Sequence, residues 1–249
     1  NLDILILDSY EIPVSDHFIQ KRQWNKVLAL VDDTTPPYIA DVYIHSGLGT
    51  NWKIPQNNSQ AKLFLGEEYI LIRKSLREIR EKRNLSANSK RKILVTGGGS
   101  DPFQFAQTIV KLLSQLEIEF EAIIVASNFD LPKDDPRFQF IPMGRSYEDL
   151  LPFIDLAITT AGTSSYEFLY LGIQIALASA IGNQLSNHKY FVENNFALSI
   201  GNRGENNEWE LDLTKIEQLL SPRSASLQIT EKPESVGEGH LKIADLLTD

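Results

Sequence analysis

Three turns built of small residues hold the side chains of this 249-residue chain best placed to do chemistry. The first is Thr96-Gly97-Gly98-Gly99-Ser100-Asp101-Pro102, between an apolar run and a helical pattern. Its glycines allow close approach to the backbone. Ser100 or Asp101 suits a helix cap and Pro102 the first helical position. A turn of this kind presents N–H groups and partial positive charge, a seat for phosphate. It is neither GxGxxG nor GxxxxGK followed by Ser or Thr, so a dinucleotide fingerprint and a P-loop are both excluded. The second turn is Thr159-Thr160-Ala161-Gly162-Thr163-Ser164-Ser165, followed by Tyr166-Glu167. Glu167 has two readings. Ser164 and Glu167 have the spacing of a capping box. A carboxylate in a first helical turn can also accept both hydroxyls of a ribose. The third turn, Ala180-Ile181-Gly182-Asn183-Gln184, offers amide side chains to a sugar or phosphate. Together the three turns describe a pocket for a nucleotide or a nucleotide sugar. The first half offers acids instead: Asp8-Ser9-Tyr10 and Asp32-Asp33 end two apolar runs, where carboxylates orient a ligand, act as bases or form turns.

The elements that must position these turns alternate in type. Strand patterns fall at 3–8, 26–32, 41–45, 92–96, 121–126, 138–141, 155–160 and 174–179. Helical patterns fall near 15–23, 69–83, 102–117, 146–152, 164–171, 185–194, 214–220 and 238–248. Continuous apolar strands alternating with helices mean βαβ units and a parallel sheet. The ligand edge of such a sheet lies outside the carboxyl ends of its strands, where all three turns fall. The polar stretch 84–91 reads as a linker, dividing the chain into 1–84 and 85–249; 221–237 reads as a long loop.

Composition narrows the function classes. There is no cysteine, hence no disulfide, thiolate nucleophile or Cys-ligated zinc. The four histidines, at 17, 45, 188 and 240, show no metal-ligand spacing; His17 and His45 read as structural and His188 as exposed. Formal net charge is −9, which disfavours nucleic acid, whose affinity comes mostly from phosphate neutralisation. The basic stretch from Arg73 to Lys92 reads either as a phosphate or membrane-surface patch or as a solvated helix leading into the linker. No apolar run approaches the ~20 residues that span a bilayer, so stable membrane insertion is not expected. Position 1 is Asn and no signal-peptide pattern follows, so the expected location is the cytoplasm. The oligomeric state stays open.

An ordered set of pieces carries a family likeness: Leu7-Asp8-Ser9-Tyr10, Val31-Asp32-Asp33, Leu65-Gly66-x-x-Tyr69-x-Leu71-x-Arg73, Gly98-Gly99-Ser100-Asp101-Pro102, Ala161 to Glu167, and Asn183-Gln184. In this order and spacing the chain resembles the family of the UDP-sugar hydrolase of pseudaminic acid biosynthesis, which also contains the spore-coat polysaccharide proteins. More distantly, its second half is similar to the N-acetylglucosaminyltransferase that makes lipid II. The resemblance implies a GT-B-like α/β architecture, two Rossmann-like parallel-sheet domains with a sugar nucleotide between them. Residues 85–249 would hold the UDP. By this likeness Gly97, Gly98, Gly99, Ser100 and Asp101 would face the diphosphate, and the strand end at Ile141 and Met143 would offer backbone to uracil. Ala161, Gly162, Thr163 and Ser164 would line the pocket, Glu167 would hold the ribose, and Asn183 and Gln184 would approach the sugar or phosphates. No metal or other cofactor is implied.

The resemblance also implies an activity: hydrolysis of a UDP-linked acetamido-deoxy sugar to free sugar and UDP in surface-glycan biosynthesis. A glycosyltransferase with a UDP-sugar donor and a non-catalytic nucleotide-sugar-binding module are the alternatives. The family's catalytic histidine sits in a Gly-x-Gly-His loop after its first strand, and nothing in 1–30 matches that loop. The expectation is therefore that the first domain is incomplete. No histidine here inherits the catalytic role, which leaves Asp8, Tyr10 and Asp33 as candidate catalytic residues.

Overall fold

A computed structural model of the chain describes residues 2–20, 23–32, 34–46, 52–83, 90–98, 101–127, 135–142, 147–180, 182–221 and 236–248. The fold divides into two compact units, Asn1–Ile72 with Pro233–Asp249, and Arg73–Lys232. Composition alone places the division at 84. Contacts place it before Arg73 and return the end of the chain to the first unit.

The first unit is a parallel sheet of β1 (Leu2–Leu7), β2 (Trp24–Leu30), β3 (Val42–His45) and β4 (Lys62–Leu65), in that order. Alternation sends Leu5, Leu7, Val27, Ala29 and Tyr43 to one face, packed with Ile19, Tyr38 and Ala40. Leu28, Val42 and Ile44 point to the other face, against Ile243 of the last helix, Gly239–Thr248. Of the helix expected at 15–23, residues 15–20 form turns and bends instead, and residues 21 and 22 lie outside the described residues. Asp16 accepts the N–H of Phe18 at 2.8 Å through its side chain, a local bond that competes with helical pairing.

The second unit is a seven-stranded sheet. Its elements in chain order are α1 (Lys74–Lys82), β5 (Arg91–Thr96), α2 (Phe105–Leu113), β6 (Phe120–Ala126), β7 (Phe138–Pro142), a 3-10 turn at Glu148–Phe153, β8 (Leu156–Thr160), α3 (Thr163–Leu171), β9 (Gln174–Ser179), α4 (Leu185–Glu193), β10 (Leu198–Arg203), β11 (Trp209–Leu211) and α5 (Leu213–Leu220). The strand order is β11-β10-β9-β8-β5-β6-β7, parallel except for the β10–β11 hairpin. Its central strands are apolar throughout because both faces are covered. Ile93, Val95, Ile124, Leu156 and Ile158 pack with Phe105, Ile109 and Leu113 of α2 and Ile216 of α5. From β5 the chain winds outward through β6 to β7, then returns to β8 on the other side of β5. The loops after β5 and β8 therefore diverge from one point on the carboxyl edge. In open α/β sheets this switch point is where ligands bind.

The described part of the basic stretch is an amphipathic helix: Lys74, Glu78, Arg80, Glu81 and Lys82 are exposed, as the solvated-helix reading has it, while its other side packs down. Leu76 of α1 is fully buried, and the Arg80 guanidinium lies 4.9 Å over the Tyr170 ring. Arg83 donates to the carbonyls of Leu151 and Ile154, at 3.4 and 2.9 Å. Lys90 and Lys92 pair with Glu119 and Glu121.

Candidate functional site

The loop after β5 is shaped by one carboxylate. Asp101 accepts the N–H of Phe105 through Oδ1 at 2.9 Å and that of Ala106 through Oδ2 at 3.0 Å. It does so from the left-handed region, φ +44°, and Gln104 at φ +53° completes the turn into α2. Asp101 is thus the cap that the sequence suggests. The helix, however, starts at Phe105, and Pro102 lies ahead of its first turn. A Cβ on Gly97 would come within 2.0 Å of Asp101 Oδ1, so glycine there makes room for the carboxylate. Trp209 Nε1 donates to the Phe103 carbonyl at 2.9 Å, and the Arg203 guanidinium stacks 4.3 Å over the Phe103 ring. The Phe105 and Ala106 N–H groups at the start of α2 are therefore taken by the protein's own carboxylate. Gly99 and Ser100 lie outside the described residues.

The loop after β8 has the opposite character. Helix α3 opens at Gly162 with no side-chain cap. Such a helix start leaves backbone donors for a partner beyond the sheet edge. Ala161 is buried under the loop and Thr163 is exposed at its tip. Ser165 turns inward, its hydroxyl donating to the Gly162 carbonyl at 2.6 Å. Thr160 Oγ1 donates to the Gly97 carbonyl at 3.2 Å and ties the two loops together.

The capping box of Ser164 and Glu167 does not form. Gly162 takes the cap position, and the Glu167 carboxylate turns to Arg73 instead. Arg73 Nε donates to Oε1 at 2.7 Å and its terminal nitrogen to Oε2 at 2.9 Å, a two-toothed pair around a carboxylate only 8% exposed. The other arm of the guanidinium reaches Glu148 Oε1 at 2.5 Å. The Glu167 hydrogen bonds raise the Arg73 pKa against the effect of burial. Beside them, burial and the Glu167 charge push the Tyr147 hydroxyl up. Arg73 and Glu167 each belong to a quoted motif, yet 94 positions separate them and no spacing rule pairs them. Glu148 is missed by sequence reasoning altogether.

The remaining expected residues are spread along the same sheet. Gln184 Oε1 accepts the N–H of Ala180 at 2.9 Å, which folds the third turn onto itself. Asn183 shares the short 3-10 turn Gly182–Gln184. Ile141 is buried in β7 at one end of the strand order, and Met143 lies outside the described residues.

In the first unit, Tyr10 donates its hydroxyl to Asp32 Oδ2 at 2.6 Å. Asp32 also accepts the Thr34 N–H and the Thr34 and Thr35 hydroxyls. Burial pushes the Asp32 carboxyl up, but these bonds outweigh it and hold it below its ordinary value. Burial and the bond to Asp32 push the Tyr10 hydroxyl well up, so Tyr10 serves as a donor rather than a base. Asp8 is exposed near this pair, and Asp33 lies outside the described residues. His188, read as exposed, is half-buried with its Nε2 3.0 Å from Ser199 Oγ, and burial lowers its pKa. Among the described residues no group of three or more His, Cys, Asp or Glu is arranged to hold a metal ion, and no helix is long and apolar enough to cross a membrane.

No family model matches the chain. Its sequence is 22% identical over 204 residues to "Uncharacterized protein MJ1062" of Methanocaldococcus jannaschii, a match covering 70% of this chain and 40% of that protein. Its fold is similar to Acinetobacter baumannii MurG, with a TM-score of 0.61 at 15% identity, over 90% of this chain and 66% of that one. It is also similar to Arabidopsis thaliana UGT89C1 complexed with UDP, with a TM-score of 0.58 at 10% identity and the same coverage. The Neisseria meningitidis UDP-GlcNAc 2-epimerase bound to UDP-GlcNAc gives a TM-score of 0.54 at 14% identity, over 90% of this chain and 76% of that one. The fold is of the GT-B type. The GT-B-like α/β expectation from the sequence is thereby met at the level of the two parallel sheets. The chain spans well under half the length of its archaeal relative and just under two thirds of the MurG chain.

Proposed function

We propose that the second unit binds the UDP moiety of a UDP-sugar along the carboxyl edge of its sheet, within an enzyme of surface-glycan biosynthesis. The observation that carries this reading is on α3, whose uncapped N-terminus and buried Glu167 lie on one helix at the switch point. An open helix start attracts a diphosphate through its N–H groups and dipole. Glu167 lies four residues beyond Thr163, about 6 Å along the axis, a spacing that suits the step from diphosphate to ribose. The backbone of Gly97 and Gly98 walls the phosphates on the β5 side, while Asp101 serves as the cap that shapes this wall. The end of β7 at Ile141 would take the uracil, and Asn183 and Gln184 the distal phosphate or sugar. The solved GT-B proteins holding UDP or UDP-GlcNAc support this choice of base.

For the whole protein, the ordered motifs favour hydrolysis of a UDP-linked acetamido-deoxy sugar, with water attacking the anomeric carbon and UDP leaving. Fold likeness to MurG and UGT89C1 favours transfer to an acceptor hydroxyl as the second reading. In either reaction the positive end of α3 stabilises the departing UDP. Incubating the full-length protein with UDP-N-acetyl sugars separates the two. Release of UDP and free sugar without an acceptor supports hydrolysis; release only with an acceptor supports transfer.

Titration calorimetry tests the binding reading. UDP is expected to bind more tightly than ADP and with unchanged affinity in EDTA. Tighter ADP binding, or loss of UDP binding on chelation, would overturn it. Gly162→Val sharpens the test. A Cβ at Gly162 meets nothing within 4 Å, so the fold should tolerate it. The valine would nevertheless stand over the α3 N–H groups. The expected result is a melting temperature lowered by only a few degrees, since valine is a poorer N-cap than glycine, with UDP affinity reduced about tenfold or more, the equivalent of one charge-assisted hydrogen bond.

A further inference from the structure

We infer that Arg73 is a positioning residue that gives the nucleotide site its preference for ribose over 2′-deoxyribose, an inference that rests on the UDP reading above. A carboxylate offers about four lone-pair sites on two oxygens. Arg73 takes one site on each oxygen of Glu167, through Nε and one terminal nitrogen. The planar fork fixes the carboxylate plane and leaves one acceptor direction per oxygen, the arrangement that two neighbouring hydroxyls require. Glu167 is too buried to find its orientation from water, so the guanidinium supplies it. Arg73 is itself held in place. Its remaining arm is fixed by Glu148, on the turn that follows β7, and it stands at the cap position of α1. The carboxylate proposed for ribose and the 3-10 turn Glu148–Phe153 are thus linked through one side chain. Lysine cannot replace it, because an ammonium is a point charge without the two-toothed geometry.

The experiment compares UDP with 2′-deoxy-UDP on the full chain, in wild type, Arg73→Lys, Arg73→Met and Arg83→Lys. Wild type is expected to prefer UDP by about tenfold, the worth of one hydrogen bond to a charged acceptor. Both Arg73 variants are expected to lower this preference to about twofold or less, mainly by weakening UDP. Arg83→Lys disturbs the guanidinium that holds the 3-10 turn but leaves Glu167 untouched, so it should lower the melting temperature and keep the preference. If Arg73→Met does not fold, Arg73→Lys alone decides. An unchanged preference in a folded Arg73 variant overturns the inference while the UDP reading stands. Loss of the preference in Arg83→Lys also overturns it, since loosening of the fold would then suffice. Failure of wild type to bind UDP overturns the reading beneath it.

Discussion

Glu167→Gln is expected to weaken UDP binding by about 1.5–3 kcal/mol, roughly 10–150-fold in Kd. The ribose hydroxyls would lose a charged acceptor, and the amide would present only one oxygen where the carboxylate presents two. One of the two Arg73 contacts would meet an NH2 group instead of an oxygen, turning a bond into a clash of donors. The cost to folding should be smaller. Arg73 keeps Glu148, and its side chain is 48% exposed, so water screens much of what is lost. About 0.5–1 kcal/mol of stability is the expected loss, the scale of an ion pair with one half-exposed partner. Calorimetry and thermal melting on one preparation separate the two effects. A large drop in melting temperature with UDP affinity intact would reduce Glu167 to an anchor for α1. No capping box complicates the measurement, because α3 is opened by Gly162.

What the sequence made legible was local. The central strands are continuous apolar runs because helices cover both faces, and such runs need no partner to be recognised. The turns at their carboxyl ends were equally plain, since small residues between an apolar run and a helical pattern mark the step from strand to helix whatever the fold's order. Three strands escaped. Lys62–Leu65 is short and half-exposed, Trp209–Leu211 has three residues, and Leu198–Arg203 is polar and broken by a register shift at Gly201. The return of the last helix to the first sheet depends on Ile243 meeting Leu28, Val42 and Ile44, a pairing that no local pattern encodes.

At the candidate site, residue types were readable from the sequence but their contacts were not. Asp101 and Gly162 both sit in small-residue turns before helices, and sequence treats the two turns as equivalent. They differ because a left-handed Asp101 folds its own carboxylate over α2, whereas α3 starts on a residue with no side chain. Under the UDP proposal, that difference favours the second turn over the first as the seat of the diphosphate. The role of Glu167 shifts for a related reason. Its partner comes from a segment far away in sequence, and a guanidinium with two-toothed geometry outcompetes the backbone N–H of a capping box.

Gly97→Ala is expected to destabilise the second unit by about 2–3 kcal/mol in the wild-type background and by only about 0.5–1 kcal/mol once Asp101 is glycine. The added Cβ would lie 2.0 Å from Asp101 Oδ1 and 2.4 Å from its Cγ, and the three nearest atoms it meets all belong to that side chain. The carboxylate cannot withdraw without releasing the N–H groups of Phe105 and Ala106. Losing such a cap costs about 1–2 kcal/mol, and the displaced turn adds strain. Asp101→Gly alone removes the cap, but glycine suits the left-handed backbone at φ +44°, so its net cost should be nearer 1 kcal/mol. Once the Asp101 side chain is gone, alanine at 97 has room. A thermodynamic cycle of the two variants by urea unfolding should therefore show a coupling of about 1.5–2 kcal/mol. Additive losses would mean that Gly97 and Asp101 act independently. The α2 N-terminus would then have to be counted again among the anion seats of this sheet edge.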